Sequence, residues 1–357
     1  MKKVLAVILA LSLLLTGCGG KGTEEAEEKY GSSELRIFNW GEYMGENLIS
    51  NFEKEFGVNV TVEFFDSNEM MYTKLQSGES YDLLVPSDYM IERLIADGSL
   101  TKLDKSLIPN LTNLAEGVKN LSYDPDNSYS VPYFWGNVGI VYDKTEVPEA
   151  LIEEQGFSIL KNTDYKGNLY MYDSERDSFM VAFKSLGYSM NTENDTEIQA
   201  AYEWLKELND TMEPAYVTDE VIDNMINGSK ALAVVYSGDA TVILDENPDM
   251  GFYLPNEGTN LWSDGMVIPA NAENPLLAHE FINYVLTYDA SYDNSETVGY
   301  ASSNQEVLED MSGAGGLYED NAAYLPRMGY AKDEVFSDNL VLKQKLSDLW
   351  LKVKASK

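Results

Sequence analysis

Apolar and polar positions alternate along the chain in two different periods, and each stretch of one period is followed by a stretch of the other. Leu35 to Asn39 and the β-branched, aromatic run Val58 to Phe65 read as strands. Between them Leu48, Ile49, Phe52 and Phe56 recur at helical spacing, and Gly57 follows as a stop signal. Met70 to Leu75 reads as a helix, Tyr81 to Val85 as a strand ending at Pro86, and Tyr89 to Ile95 as a helix closed by Gly98. Tyr129 to Tyr142 reads as two short extended pieces, after which the pattern restarts at Asp143. In the second stretch Ile198, Ala201, Tyr202, Leu205 and Leu208 mark an amphipathic helix. Ala231 to Tyr236 is a buried-looking strand, Trp262 to Pro269 is extended, and Leu276 to Val285 is helical. Leu342, Leu346, Leu349, Trp350 and Val353 share one helical face, so the C-terminal segment is predicted to pack. Strands alternating with helices indicate an α/β fold with helix-flanked sheets.

The beginning of the chain obeys neither period. Lys2 and Lys3 precede an apolar run from Val4 to Leu15 that is too short for an ordinary spanning helix, and Leu15, Thr16, Gly17 and Cys18 follow. This reads as a signal peptide over 1–17. The Leu-Thr-Gly-Cys run resembles the lipobox of bacterial lipoproteins, which implies lipidation at Cys18 and a place on the extracytoplasmic face of the cell membrane. Cys18 is the only cysteine, so no disulfide can form within the chain. Residues 18–30 carry four glutamates and little apolar surface, and they are expected to act as an unfolded tether.

Removing 1–17 leaves 340 of the 357 residues, enough for two domains, and takes the formal net charge from −35 to −37, since two lysines and no acid are lost. A field of that sign repels nucleic acid and anionic lipid and draws cations into clefts. Such charge also keeps exported proteins soluble, so alone it names no ligand.

Motifs for catalysis fail one by one. His279 is the only histidine, and asparagine stands at 283 where a zincin helix needs a second one. Asp124, Asp126 and Ser128 have EF-hand spacing, but Pro125 follows the first ligand and Trp135 occupies the place of the closing glutamate. The Ser-x-x-Lys at 158–161 and Ser-Asp-Asn at 337–339 lack the third β-lactamase motif. No nucleotide-binding glycine fingerprint follows a strand. No catalytic residue, metal or cofactor is therefore expected.

What recurs is a short polar or acidic element beside an aromatic where a strand stops: Trp40 to Tyr43, Ser87 to Tyr89, Tyr172 to Asp177, Trp262 to Asp264, and Gly299 with Tyr300. In open α/β sheets ligands sit beyond the carboxyl ends of strands. Aromatic faces attract ammonium groups by about 0.5–2 kcal/mol each, and carboxylates add charge-assisted hydrogen bonds. A flexible alkyl chain with cationic ends fits both. Sugars also use aromatic walls, and any one of these rings could instead belong to a core.

At these residues the chain resembles the spermidine/putrescine-binding proteins of bacterial ABC importers, a likeness running from Leu35 to the end. It rests on FNWGEY at 38–43, SNE at 67–69 with YTKL at 72–75, YDLLVPS at 81–87, YSVPYFWG at 129–136, WSD at 262–264 with IPANA at 268–272, and ETVGY at 296–300. The resemblance implies a two-lobed periplasmic-binding-protein fold, with lobe 1 at 31–137 and 263–308, lobe 2 at 138–262 and 309–357, and crossings near Val138, Trp262 and Leu308. It implies that Trp40, Tyr43, Tyr89, Tyr236, Trp262 and Tyr300 wall the ligand, that Asp264 and Asp177 hold its ammonium groups, and that Ser87 and Thr218 make lesser polar contacts. The implied partners are a polyamine and membrane permease subunits, with the protein a monomer. Ser174 and Phe336 depart from the family, standing where spermidine binders often place an aspartate and a glutamine, which favours putrescine or a shifted register. A sugar or amino-acid binder of the same fold, with Arg176 as carboxylate receiver, and a polyamine sensor remain as alternatives.

Overall fold

A computed structural model describes residues 21–356, so the expected signal peptide over 1–17 and the expected lipidation site Cys18 lie outside the described residues. Ten strands form one curled mixed sheet: β1 Glu34–Trp40, β2 Asn59–Phe65, β3 Leu83–Leu84, β4 Ser130–Asp143, β5 Leu169–Tyr172, β6 Ala215–Val217, β7 Leu232–Tyr236, β8 Met250–Tyr253, β9 Leu261–Val267 and β10 Ala301–Ser302. The order is β2-β1-β3-β9-β4-β7-β5-β6, with β8 and β10 also paired to β4. β1 is parallel to β2 and β3, and β5 is parallel to β6 and β7, while β4 and β9 run antiparallel to their neighbours. The carboxyl ends of β1, β3, β5, β6 and β7 are where an open α/β sheet places its crevice.

β4 joins the two halves of the sheet. Its first part, through Asn137, pairs with β9 and β10, and its second part, from Val138, pairs with β7 and β8. The sequence reading of two short pieces is corrected: this is one strand of 14 residues, every one buried. Its register shifts between Pro132 and Trp135, because proline cannot donate to the ladder and an irregularity absorbs it. At the junction Asn137 donates to the Asn260 carbonyl and accepts from the Arg327 backbone N–H, and the Thr259 hydroxyl donates to the Val138 carbonyl. Polar groups buried at a bend must be paired in this way.

The helix Leu48–Phe56 ends at Gly57, whose left-handed φ of 67° only glycine adopts without strain. Gly57 also leaves room for the backbone of Gly22, which would lie 2.4 Å from an added Cβ. The neighbour it admits is a helix, Lys21–Tyr30, in place of the expected unfolded tether. Its glutamates point outward, but Ala26 and Tyr30 are buried and Tyr30 donates to Glu280 at 3.0 Å. One docked apolar edge, with Lys29 in the last turn, suffices to order a polar decapeptide that composition alone leaves unfolded. At the other end, Leu340–Lys354 buries Leu342, Leu346, Trp350 and Val353, as its spacing predicts.

Candidate functional site

Beyond the strand ends, rings from both halves of the sheet meet edge to face in one row. Centroids are 5.6 Å apart for Tyr43 and Tyr300, 5.1 Å for Tyr300 and Trp262, 5.8 Å for Trp262 and Tyr236, and 4.9 Å for Tyr236 and Tyr172. Interplanar angles from 72° to 82° match the preference of ring quadrupoles for a positive edge on a negative face. Gly238 permits this packing, since a Cβ there would come 2.3 Å from the Tyr300 ring.

Every tyrosine of the row donates its hydroxyl to an aspartate. Tyr43 reaches Asp264, Tyr300 reaches Asp239 and Tyr236 reaches Asp177, all at 2.8 Å, and Tyr172 reaches Asp219 at 3.3 Å. Asp264 lies on β9, where the backbone of Ser87 bridges it. Asp177 is in the first turn of the helix Glu175–Ser185, with Ser174 as its cap, and Asp239 is in the first turn of Ser237–Glu246. Helix N-termini favour such charges.

Burial raises the carboxyls of Asp264, Asp177 and Asp239. Asp264 is pushed up to about 6 against the lowering hydrogen bonds of Ser87 and Tyr43, and Asp239 to about 7 against that of Tyr300. Asp177 is also raised by burial, opposed by Ser174, Tyr236 and Arg176. Beneath Asp264, Asp88 is 1 % exposed and reaches about 8, because burial and the Asp264 charge outweigh the Tyr89 N–H it accepts at 2.7 Å. One carboxylate oxygen of Asp177 and one of Asp88 have no hydrogen-bond partner. Such a set is short of positive charge.

Of the residues expected in the site, Tyr43, Ser87, Asp177, Tyr236, Trp262, Asp264 and Tyr300 are brought together. Tyr89 flanks them, held by Asn68 at 3.0 Å, with the Arg176 guanidinium 3.8 Å from its ring centroid. Arg176 faces Glu69 at 3.7 Å and Phe336 at 5.8 Å, so it does not stand free as a receiver for a ligand carboxylate. Trp40 packs against the same core but makes no ring pair within the row, donating to the Val85 carbonyl at 2.9 Å and leaning on Phe65. Thr218 is not part of the cluster: it is exposed and donates to Glu220 in its own loop, where a hydroxyl two residues from a free carboxylate finds a local partner first. Asp239 and Asp219 were not singled out from sequence. Asp239 follows Tyr236 by three residues, the same strand-end aromatic and acid that mark the other clusters.

The two remaining metal or catalytic look-alikes have structural work. Asp124 accepts from Ser128, Tyr129 and Ser130 and closes its loop, and His279 accepts from the Asp104 N–H at 3.0 Å. Among the described residues no cluster could hold a metal ion and no helix is long and apolar enough to cross a membrane.

Residues 47–324 match the family model described as bacterial extracellular solute-binding protein. The spermidine/putrescine-binding periplasmic protein of Salmonella typhimurium is 34% identical over 330 residues, covering 90% of this chain and 91% of its own length. Among solved structures, the spermidine/putrescine ABC transporter substrate-binding protein of Streptococcus pneumoniae is 35% identical with a TM-score of 0.73, covering 91% of this chain and 99% of that one. A Treponema pallidum lipoprotein is 28% identical with a TM-score of 0.77, covering 90% and 99%.

Proposed function

The chain belongs to the bacterial extracellular solute-binding protein family, and we propose that it captures polyamines outside the cytoplasm and delivers them to an ABC importer. The observation that carries this reading is the row of tyrosine–aspartate pairs, with its carboxyls buried and Arg176 occupied by Glu69. A diammonium chain supplies the missing charge and lays its methylenes on the aromatic row. Asp264 and Asp177 receive the ammonium groups, Asp239 adds a third carboxylate between them, and Tyr43, Tyr89, Tyr236, Trp262 and Tyr300 form the walls. The fold is that of periplasmic binding proteins. Its two lobes, 31–137 with 263–308 and 138–262 with 309–357, close about the Asn137, Thr259 and Asn260 junction in a hinge motion.

Titration calorimetry with putrescine, spermidine and an uncharged oligosaccharide tests the reading. Both amines should give saturable heats, and a response to the sugar alone would refute it.

Anchoring through Cys18 rests on the lipobox resemblance and on the exported relatives. A lipid there holds the cleft at high effective concentration near the permease. In a host with a single membrane, Cys18→Ala should move the protein from the membrane fraction to the medium. An unchanged distribution would show that another element anchors it.

A further inference from the structure

Arg176 is a cation beside the acids and aromatics of the site, and a guanidinium cannot bind a polyammonium ligand. Its contacts lie instead across the two lobes. It projects from the first turn of Glu175–Ser185, next to Asp177, onto the Tyr89 ring at 3.8 Å. Tyr89 is held by Asn68, and Asn68 and Glu69 begin the helix Asn68–Gln76, so all three form one block of the other lobe. Arg176 Nη2 and Glu69 Oε1 are both buried and both lack a hydrogen-bond partner, yet they stand only 3.7 Å apart. An approach of under about 1 Å turns that gap into a charge-assisted hydrogen bond of about 2.7–2.9 Å. Lys343 joins from the second lobe, 3.6 Å from the same Glu69 oxygen. Farther along the same edge Arg93 pairs with Asp338, whose backbone N–H donates to Glu92 at 2.7 Å.

We propose that Arg176 is a positioning residue that latches the lobes: stacked on Tyr89 and bonding Glu69 on full closure, it retains the ligand by slowing reopening. The inference rests on the polyamine reading for its ligand and on the cross-lobe geometry for its mechanism. The neighbouring Asp177 links the two, because drawing Arg176 toward Glu69 carries Asp177 and its Tyr236 partner toward the cleft. Glu69 provides the second handle, being on a different lobe and on none of the ligand-wall positions.

Stopped-flow binding of putrescine to the full chain, with Arg176→Ala, Glu69→Gln, their double variant and Arg176→Lys, tests it. Each single change should raise the dissociation rate about ten-fold while the association rate stays within about three-fold, since affinity among related variants changes mostly in dissociation. The double variant should dissociate no faster than the singles, because the two residues share one interaction. Arg176→Lys should recover part of the retention, keeping the charge but not the planar stack. Additive effects in the double variant, or slowed association with unchanged dissociation, would overturn the latch. If Arg176→Ala does not fold, Glu69→Gln with Lys343→Met supplies the same comparison. Small-angle scattering of the ligand-free proteins separates the two readings. A larger radius of gyration for Arg176→Ala supports the latch even if no polyamine binds, and an unchanged one counts against it.

Discussion

Asp264→Asn lowers polyamine affinity by about thirty-fold or more, the loss expected when one partner of a buried, hydrogen-bonded charge pair is removed at about 2–5 kcal/mol. The carboxylate is 6 % exposed, already accepts the Tyr43 hydroxyl and sits on the strand bridged to Ser87, so it is held in place before any ligand arrives. Preorganised charge is what an ammonium group gains over water. Asparagine keeps the shape and one accepting oxygen for Tyr43, and it removes a charge that burial disfavours. The ligand-free variant should therefore melt no lower than the parent at neutral pH, which separates a binding defect from a folding defect. Calorimetry with putrescine reads the first and thermal unfolding the second. Affinity within about three-fold of the parent would remove Asp264 from the site.

How much of this was legible beforehand differs between fold and site. Helices with a clean apolar face were read within a few residues, because their stripe meets one core: Leu48–Phe56, Pro275–Val285 and Leu340–Lys354. The helix Lys21–Tyr30 was not, since its order comes from a groove made by Gly57 and Glu280, residues far away in sequence. The sequence reading divides β4 at Val138, where its partner changes from β9 to β7, while pairing on both sides keeps it continuous. In the site, strand-end aromatics followed by acids identified Asp264 and Asp177, where the carboxylate lies next to or near the strand that aims it. Asp239 carries the same signal one helical turn later and was missed. Thr218 had the right strand end but an exposed loop, and nothing local in sequence separates those two situations. The pairing of Arg176 with Glu69 spans about a hundred residues of chain and belongs to tertiary geometry alone.

Putrescine affinity should fall steeply as the solution is acidified from pH 8 to pH 5, and binding near pH 6–7 should release protons. Burial holds Asp264 near 6, Asp239 near 7 and Asp88 near 8, all above the value of about 3.9 for an unfolded aspartate. Between those limits the folded, empty protein binds more protons than the unfolded chain. Its stability from these groups is therefore fully present at the acid side and is lost as pH rises through the folded values. Surface carboxylates in ion pairs usually act in the opposite direction, so a ligand-free melting temperature that declines from mildly acidic to neutral pH is a distinctive expectation. A diamine remains protonated throughout and binds the ionised acids. Below a group's folded pKa, each proton that must leave costs about ten-fold in affinity per pH unit. The rise in melting temperature on adding saturating putrescine should thus be large at pH 8 and small at pH 5. Calorimetric heats measured in buffers of different protonation enthalpy count the released protons, and Asp239→Asn should remove the part released near pH 7. An affinity that is flat from pH 5 to pH 8 would mean that the acids are already ionised in the empty cleft. The tyrosine hydroxyls would then be supplying enough stabilisation to overcome burial, and ligand capture would need no proton release.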